Sequence, residues 1–211
     1  MDLSEGRPVT FDSDGLTLEG LLHVPESIPC PGVVVAHPHP QYGGDMHNNV
    51  VHAISRAAAD AGAATLRFNF RGAGASEGRY DEGRGEQQDV AAVLEYMRGL
   101  PEIDSGRVAL AGYSFGAAVS LRLSPPGVKC LVAVSPPTSG IWLSGIQAAY
   151  EVLFVAGDRD EYCDTDELRR VAAAIGPNAQ AVVHPGVDHF WVGSTGRLIE
   201  TVTAFLRERL V

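Results

Sequence analysis

The stretch that decides the fold is Gly112-Tyr113-Ser114-Phe115-Gly116, which lies between two different kinds of secondary structure. An apolar run over 108–111 leads into it and is typical of a buried strand, and the run over 117–123 that leaves it suits a helix. A serine on such a turn is held in strained backbone geometry, and the flanking glycines leave its Oγ exposed. The helix N-terminus then offers unpaired N–H groups to an oxyanion. This context indicates a nucleophile elbow with Ser114 as nucleophile, against the alternative that Ser114 only caps the helix.

Outward from the elbow, short apolar runs alternate with longer amphipathic ones, which indicates an α/β fold with a mostly parallel sheet and helices on both faces. Two runs separated by Asp12-Ser13-Asp14-Gly15 predict an opening antiparallel hairpin. We expect about eight strands in all. They are predicted at 9–11, 16–23, 33–36, 64–68, 108–111, 130–134, 152–156 and 180–183, and helices at 48–61, 83–100, 117–123, 164–175 and 194–210.

Composition limits the class of protein. A chain of 211 residues that is 45% hydrophobic and 20% charged predicts one globular domain over 1–211. A net charge of −10 disfavours nucleic acid and anionic membranes as partners. The single lysine, Lys129, disfavours phosphate-binding loops and Schiff-base chemistry, and we expect no cofactor. Three scattered cysteines and no targeting-like segment at the N-terminus predict a reduced, cytoplasmic protein.

A serine nucleophile needs a base and an acid, and in this architecture both lie on loops at the carboxyl ends of strands. Asp158 and Asp160 follow the strand predicted at 152–156, and His189 follows the one at 180–183. The chain order serine, aspartate, histidine is that of an α/β-hydrolase fold. His189 is therefore the predicted base, and either aspartate could be the acid while the other forms a turn.

The chain resembles compact bacterial α/β-hydrolases without a lid, near the dienelactone-hydrolase and prolyl-oligopeptidase-like branches. The resemblance covers almost the whole chain and is carried by His37-Pro38-His39-Pro40 with Tyr42-Gly43-Gly44, by Phe68-Asn69-Phe70-Arg71-Gly72 with Gly74 and Ser76-Glu77-Gly78, by the elbow, by Gly157 to Asp160 and by His189-Phe190. It implies an α/β-hydrolase fold without a cap domain. Its Gly-x-x-Asp pattern points to Asp160 as the acid, with Asp158 as the alternative. Dienelactone hydrolases have cysteine at the elbow, so Ser114 favours ordinary ester or thioester chemistry.

The resemblance also implies where the oxyanion is bound. In the family, the second N–H donor comes from the loop after the third strand, just beyond a histidine that corresponds to His37. Prolines on both sides of His39 have no N–H to offer, which leaves His39 or Gln41 as the donor. We expect His39 to be this donor, and Phe115, the residue after the nucleophile, to be its partner.

Two other kinds of function stay open as alternative interpretations. The histidines at 37, 39 and 47 could suggest a metal-dependent hydrolase, although their spacing does not match that of metallo-hydrolases, and we expect no metal. A non-catalytic binding module with the same fold is the other alternative.

The mechanism that follows is two-step acyl transfer to Ser114, which predicts hydrolysis that falls away below about pH 6 to 7 as an imidazole base protonates. Only residues 135–150 separate the predicted sixth and seventh strands, too few for a helical cap, so the site should be open. Residues expected to approach it favour a small-molecule ester with a short acyl or aromatic group. These residues are Tyr42, Tyr113, Phe115, Ile141, Trp142, Phe190 and Trp191. Thioester and lactone substrates stay open, and a homodimer is compatible with the sequence.

Overall fold

One eight-stranded sheet runs through the computed structural model of the protein, which describes residues 6–139 and 142–210. The strands are β1 (Arg7–Ser13), β2 (Leu16–His23), β3 (Cys30–Ala36), β4 (Ala64–Phe68), β5 (Ile103–Tyr113), β6 (Cys130–Val134), β7 (Glu151–Gly157) and β8 (Ala179–His184). Their order across the sheet is β1-β2-β4-β3-β5-β6-β7-β8. From β4 to β8 all neighbours are parallel, so the carboxyl ends of these strands lie along one edge.

The predicted opening hairpin is confirmed. Asp14 and Gly15, at the turn, have φ of 54° and 80°, the left-handed region that a tight hairpin turn needs at both central positions. The strands β1 and β2 pair antiparallel from this turn, and β2 then pairs antiparallel with β4. The hairpin thereby extends one side of the parallel sheet.

Five α-helices in the described part of the chain cover the two faces of the sheet, as the alternation of runs predicts. They are α1 (Asn49–Asp60), α2 (Arg84–Arg98), α3 (Phe115–Leu123), α4 (Thr165–Ile175) and α5 (Thr195–Leu210). The apolar side chains of α1 and α5 share one core with one face of the sheet, and those of α2, α3 and α4 share a second core with the other. Within the described residues, no helix has the length and apolar character needed to cross a membrane.

Side-chain caps explain where two of the helices begin. The Asn48 carboxamide accepts from Val50 N at 2.9 Å, and the Asp164 carboxylate accepts from the N–H groups of Asp166 and Glu167. The sequence prediction for α1 and α4 therefore started one residue early, because it included the cap. It also missed a single 3₁₀ turn at Pro40–Tyr42 in the loop after β3.

The three cysteines are free and buried. Burial raises the pKa of the Cys130 thiol to about 12 and also raises the pKa of Cys163. Both groups are therefore held as thiols, which are poor nucleophiles.

Candidate active site

Ser114 occupies the turn between β5 and α3 with φ 52° and ψ −117°, a strained conformation for a residue with a side chain. The flanking glycines, Gly112 and Gly116, are required because neighbouring backbone atoms leave no room for a Cβ at either position. A Cβ on Gly112 would lie 2.5 Å from the carbonyl carbon of Gly116, and one on Gly116 would lie 2.5 Å from the backbone oxygen of Ala36. The Ser114 side chain makes no capping hydrogen bond to α3. The alternative of a simple helix cap is therefore wrong.

His189 brings the loop after β8 against the elbow. Its Nε2 lies 3.1 Å from Ser114 Oγ, and its Nδ1 lies 2.8 and 3.0 Å from the two carboxylate oxygens of Asp160. Because an ionised carboxylate only accepts hydrogen bonds, Nδ1 carries the proton of the neutral ring and Nε2 accepts from the serine hydroxyl. This arrangement can take the proton of Ser114 as the hydroxyl attacks a carbonyl carbon.

The Asp160 carboxylate is held in place by its own loop. Its side chain is fully buried, and Oδ1 also accepts from the N–H groups of Tyr162 and Cys163 at 2.9 and 3.0 Å. Asp158, the alternative acid, instead accepts from Gly186 N and joins the loops after β7 and β8. The structure thus brings Asp160, and not Asp158, to the imidazole.

Tyr113, the last residue of β5, has a structural contact that sequence reasoning missed. Its hydroxyl donates to the backbone oxygen of His189 at 2.9 Å, and its ring centroid lies 5.3 Å from that of the imidazole. Burial, with Asp160 second, raises the pKa of this phenol, so the hydroxyl stays a donor. The strand that carries the serine therefore also holds the histidine loop.

The two predicted oxyanion donors, His39 and Phe115, lie side by side, with ring centroids 4.8 Å apart. The tight fit of Gly116 against the carbonyls of Ala36 and His37 brings the N-terminus of α3 to the loop after β3. Within the described residues, neither the His39 nor the Phe115 N–H donates to a protein acceptor. Both are available to an oxygen atom of a ligand.

The loop after β3 is folded tightly around the backbone of His39. Its carbonyl accepts from the N–H groups of Tyr42 and Gly44 at 3.1 and 3.0 Å. Gly44 is required there, since a Cβ would lie 2.2 Å from the Pro38 carbonyl oxygen. This packing fixes the direction of the peptide that carries the predicted donor.

The metal alternative finds no support in how His37 is used. This ring is fully buried, its Nε2 accepts from Phe70 N at 3.0 Å, and its Nδ1 lies 2.6 Å from the Pro38 carbonyl. Both ring nitrogens are therefore engaged by the backbone. Among the residues that the structure describes, no group of three or more His, Cys, Asp and Glu side chains is placed to hold a metal ion.

An open cleft of about 760 Å³ surrounds Ser114 Oγ. Of the residues predicted to line it, the cleft includes Tyr42, Tyr113, Phe115, Trp142 and Phe190. Ile141 lies outside the described residues. Sequence reasoning missed Tyr80 and Tyr162, although both follow strand ends at the edge that carries the triad residues.

Trp191 corrects the predicted lining. It is fully buried in the core under α5, where Nε1 donates to Ser135 Oγ at 3.1 Å. The backbone has φ 58° at this residue, which turns the indole inward while its neighbour Phe190 stays 56% exposed. Trp191 therefore supports the base of the histidine loop and does not line the cleft.

Comparisons with known proteins find similar α/β serine hydrolases. An α/β serine hydrolase homologue from Coxiella burnetii is 34% identical, with a TM-score of 0.86 and coverage of 95% of this chain and 97% of its own. A lidless α/β serine hydrolase from Xanthomonas campestris is 32% identical, with a TM-score of 0.87 and coverage of 100% and 97%. An uncharacterized protein of Rickettsia prowazekii is 29% identical over 94% of this chain and 87% of its own length.

The fold and these relatives define the chain as a compact α/β serine hydrolase of the lidless class. The model of the X-Pro dipeptidyl-peptidase (S15) family matches residues 14–151, and the chain belongs to this family.

Proposed function

We propose that the protein hydrolyses carboxylic esters of small acyl or aromatic groups through an acyl-enzyme on Ser114. The observation that carries the proposal is the hydrogen-bonded series from Ser114 Oγ through His189 to Asp160, at the floor of an open, aromatic cleft. In the first step His189 takes the serine proton as Oγ bonds to the ester carbonyl carbon. The N–H groups of His39 and Phe115 bind the oxyanion, and His189 returns the proton to the departing alcohol.

In the second step water attacks the acyl-enzyme. His189 takes a proton from the water as the water oxygen bonds to the acyl carbon. His189 then gives this proton to Ser114 Oγ as the bond from Oγ to the acyl carbon breaks and the carboxylic acid leaves. Asp160 holds the imidazole in the tautomer that both steps need. Tyr113 keeps the histidine loop against the elbow through its hydrogen bond to the His189 carbonyl.

The chemistry of the cleft wall supports an uncharged substrate. Among the described residues that line the cleft, none is Asp, Glu, Lys or Arg, and aromatic side chains predominate. A flat apolar acyl or aryl group can pack against such rings without desolvating a charge. The described residues between β6 and β7 form no helix or strand that covers the site, so the substrate enters from solvent.

Peptide hydrolysis is a second candidate because the matched family is one of X-Pro dipeptidyl-peptidases. A dipeptidyl-peptidase must bind the charged amino terminus of its substrate, and a carboxylate is the usual partner of an ammonium group. The described lining offers no carboxylate for that purpose, which favours the ester. Thioesters and lactones place the same demands on the triad as esters do.

The test is hydrolysis of 4-nitrophenyl acetate, butyrate and octanoate by the wild type and Ser114→Ala, each with and without EDTA. Ser105→Ala, at an exposed position outside the cleft, is the matched control. We expect activity in the wild type and the control, loss in Ser114→Ala, and no effect of EDTA. Equal activity in wild type and Ser114→Ala would remove the proposal, and preferential cleavage of glycyl-proline 4-nitroanilide would replace the ester with a peptide.

A further inference from the structure

The ring of His39 fixes the direction of a hydrogen bond in the cleft wall. Its Nδ1 accepts from the backbone N–H of Gln41 at 3.3 Å, so Nδ1 carries no proton. Burial lowers the pKa of His39, which keeps the ring neutral with its one proton on Nε2. Nε2 lies 3.2 Å from the Tyr80 hydroxyl oxygen and therefore donates to it.

Because Tyr80 accepts from His39, its own proton points away from that ring. Within the residues that the structure describes, His39 is the hydrogen-bond partner of this hydroxyl, and no protein acceptor receives the proton. Burial, with the charges of Glu86 and Glu82 next, raises the pKa of Tyr80, so the phenol keeps the proton at neutral pH. The cleft thus contains an O–H donor without a protein acceptor.

The position of this donor is fixed before any ligand binds. The Tyr80 ring lies 4.7 Å from the His39 ring and 5.8 Å from that of Phe115, measured between centroids. The next turn of the chain is held by Glu86, whose carboxylate accepts from Asp81 N and Gly83 N at 2.8 Å each. A donor that is already ordered loses little conformational entropy when it binds a ligand.

The other phenols of the cleft differ from Tyr80. Tyr113 donates to the His189 carbonyl, and Tyr42 and Tyr162 stand at the rim with exposures of 87% and 55%. Tyr80 is half-buried between aromatic rings. A substrate oxygen bound there is more shielded from competing water than one bound at the rim.

We propose that Tyr80 is a specificity-determining residue, whose hydroxyl donates to an ether, hydroxyl or carbonyl oxygen of the substrate other than the scissile ester group. The preferred substrates are then uncharged esters that carry this additional oxygen acceptor. The inference rests on the proposed ester hydrolysis and narrows its substrate class.

The test compares esters that differ only by oxygen in place of a methylene group. On the acyl side the pairs are the 4-nitrophenyl esters of methoxyacetate and butanoate, of 3-methoxypropanoate and pentanoate, and of 4-methoxybutanoate and hexanoate. On the alcohol side the pair is 4-methoxyphenyl and 4-ethylphenyl acetate. The measured quantity is the kcat/KM of the oxygen-containing ester divided by that of its methylene counterpart, for wild type, Tyr80→Phe and Tyr96→Phe. Differences in intrinsic ester reactivity cancel when the ratios of two proteins are compared.

In at least one pair we expect the wild-type ratio to exceed that of Tyr80→Phe by about 3- to 10-fold, the range of one neutral hydrogen bond. Tyr96 lies on α2 outside the cleft, so Tyr96→Phe should keep the wild-type ratio. Equal ratios in all four pairs overturn the proposal, and so does an equal loss on both members of each pair, which marks a role only through His39. Absence of any Ser114-dependent ester turnover is a different result, because it overturns the proposed function itself.

Discussion

The side chains at the floor of the cleft, which are Ser114, His189 and Asp160, are held differently from those at its rim, which include Tyr42 and Phe190. At the floor, Ser114, His189 and Asp160 are joined by hydrogen bonds of 2.8 to 3.1 Å, and the Asp160 side chain is fully buried. At the rim, Tyr42 and Phe190 are 87% and 56% exposed, and their rings meet those of His39 and His189 in a tilted and an edge-on arrangement. The side chains at the floor are thus held by strand-end loops and hydrogen bonds, whereas those at the rim are largely exposed rings. We therefore expect substitutions at the floor to affect the chemistry and substitutions at the rim to affect the choice of substrate.

The largest effect that separates the two regions is expected at the acid. Asp160→Asn keeps the shape of the floor but cannot hold the imidazole in the required tautomer, and kcat should fall by roughly 10³- to 10⁴-fold. Asp158→Asn is the matched control, because Asp158 is two residues away and contacts Gly186 N instead. The measurement is kcat on 4-nitrophenyl butyrate, and a larger loss in Asp158→Asn would reverse the assignment.

A substitution in the backbone next to Ser114, at Gly116, is expected to lower kcat almost as much. Gly116→Ala places a Cβ 2.5 Å from the carbonyl oxygens of Ala36 and His37, which forces α3 away from the loop that carries His39. Misplacing one oxyanion donor should lower kcat roughly 10²- to 10³-fold. Gly196→Ala, on α5 with no atom within 4 Å of the added Cβ, should leave kcat unchanged. Near-wild-type kcat in Gly116→Ala would show that the floor tolerates movement.

Acid pH is expected to lower the stability of the fold through His37, the buried residue that directly follows β3. Burial lowers the pKa of His37 to about 4 from its ordinary 6.5, so the unfolded chain binds a proton that the folded chain excludes. Stability is therefore lost as pH falls from about 6.5 to about 4, by up to roughly 3 kcal/mol from this group.

Urea unfolding of the wild type and His37→Gln across that pH range measures the contribution of His37. The loss of stability should be smaller in His37→Gln, whereas His47→Gln, at an exposed position of the same loop, should follow the wild type. Parallel pH dependence in all three proteins would contradict the role given to His37.

The smallest effect is expected at the rim. Phe190→Ala removes an exposed ring beside His189 and should raise KM for aromatic esters about 2- to 5-fold, with a smaller change in kcat. The control is Val192→Ala, which is 74% exposed and does not line the cleft. If Phe190→Ala instead lowers kcat by orders of magnitude, the rim takes part in the chemistry and the comparison fails.

The floor could be predicted from the sequence because its parts follow strand ends in a parallel sheet. The two glycines around Ser114, and the aspartate and histidine after β7 and β8, are local signals that the topology brings to one edge. The order of the triad residues in the chain follows from the same topology.

The rim could not be predicted as well, and Phe190 and Trp191 show why. These adjacent aromatic residues look alike in the sequence, but one faces the cleft and the other the core. Trp191 has φ 58°, and its indole lies in the core beneath α5 and donates to Ser135, contacts between segments distant in the chain that the sequence pattern does not show. The contact from Tyr80 to His39 joins loops 41 residues apart and leaves no periodic signal in the sequence.

The central claim, that Ser114 is the nucleophile activated by His189, is tested most directly by labelling with a fluorophosphonate, followed by peptide mass spectrometry. The account predicts one label per chain, on the peptide that contains Ser114, with slower labelling in His189→Ala and none in Ser114→Ala. Failure of the folded wild type to react, or an equal label in Ser114→Ala, would contradict it.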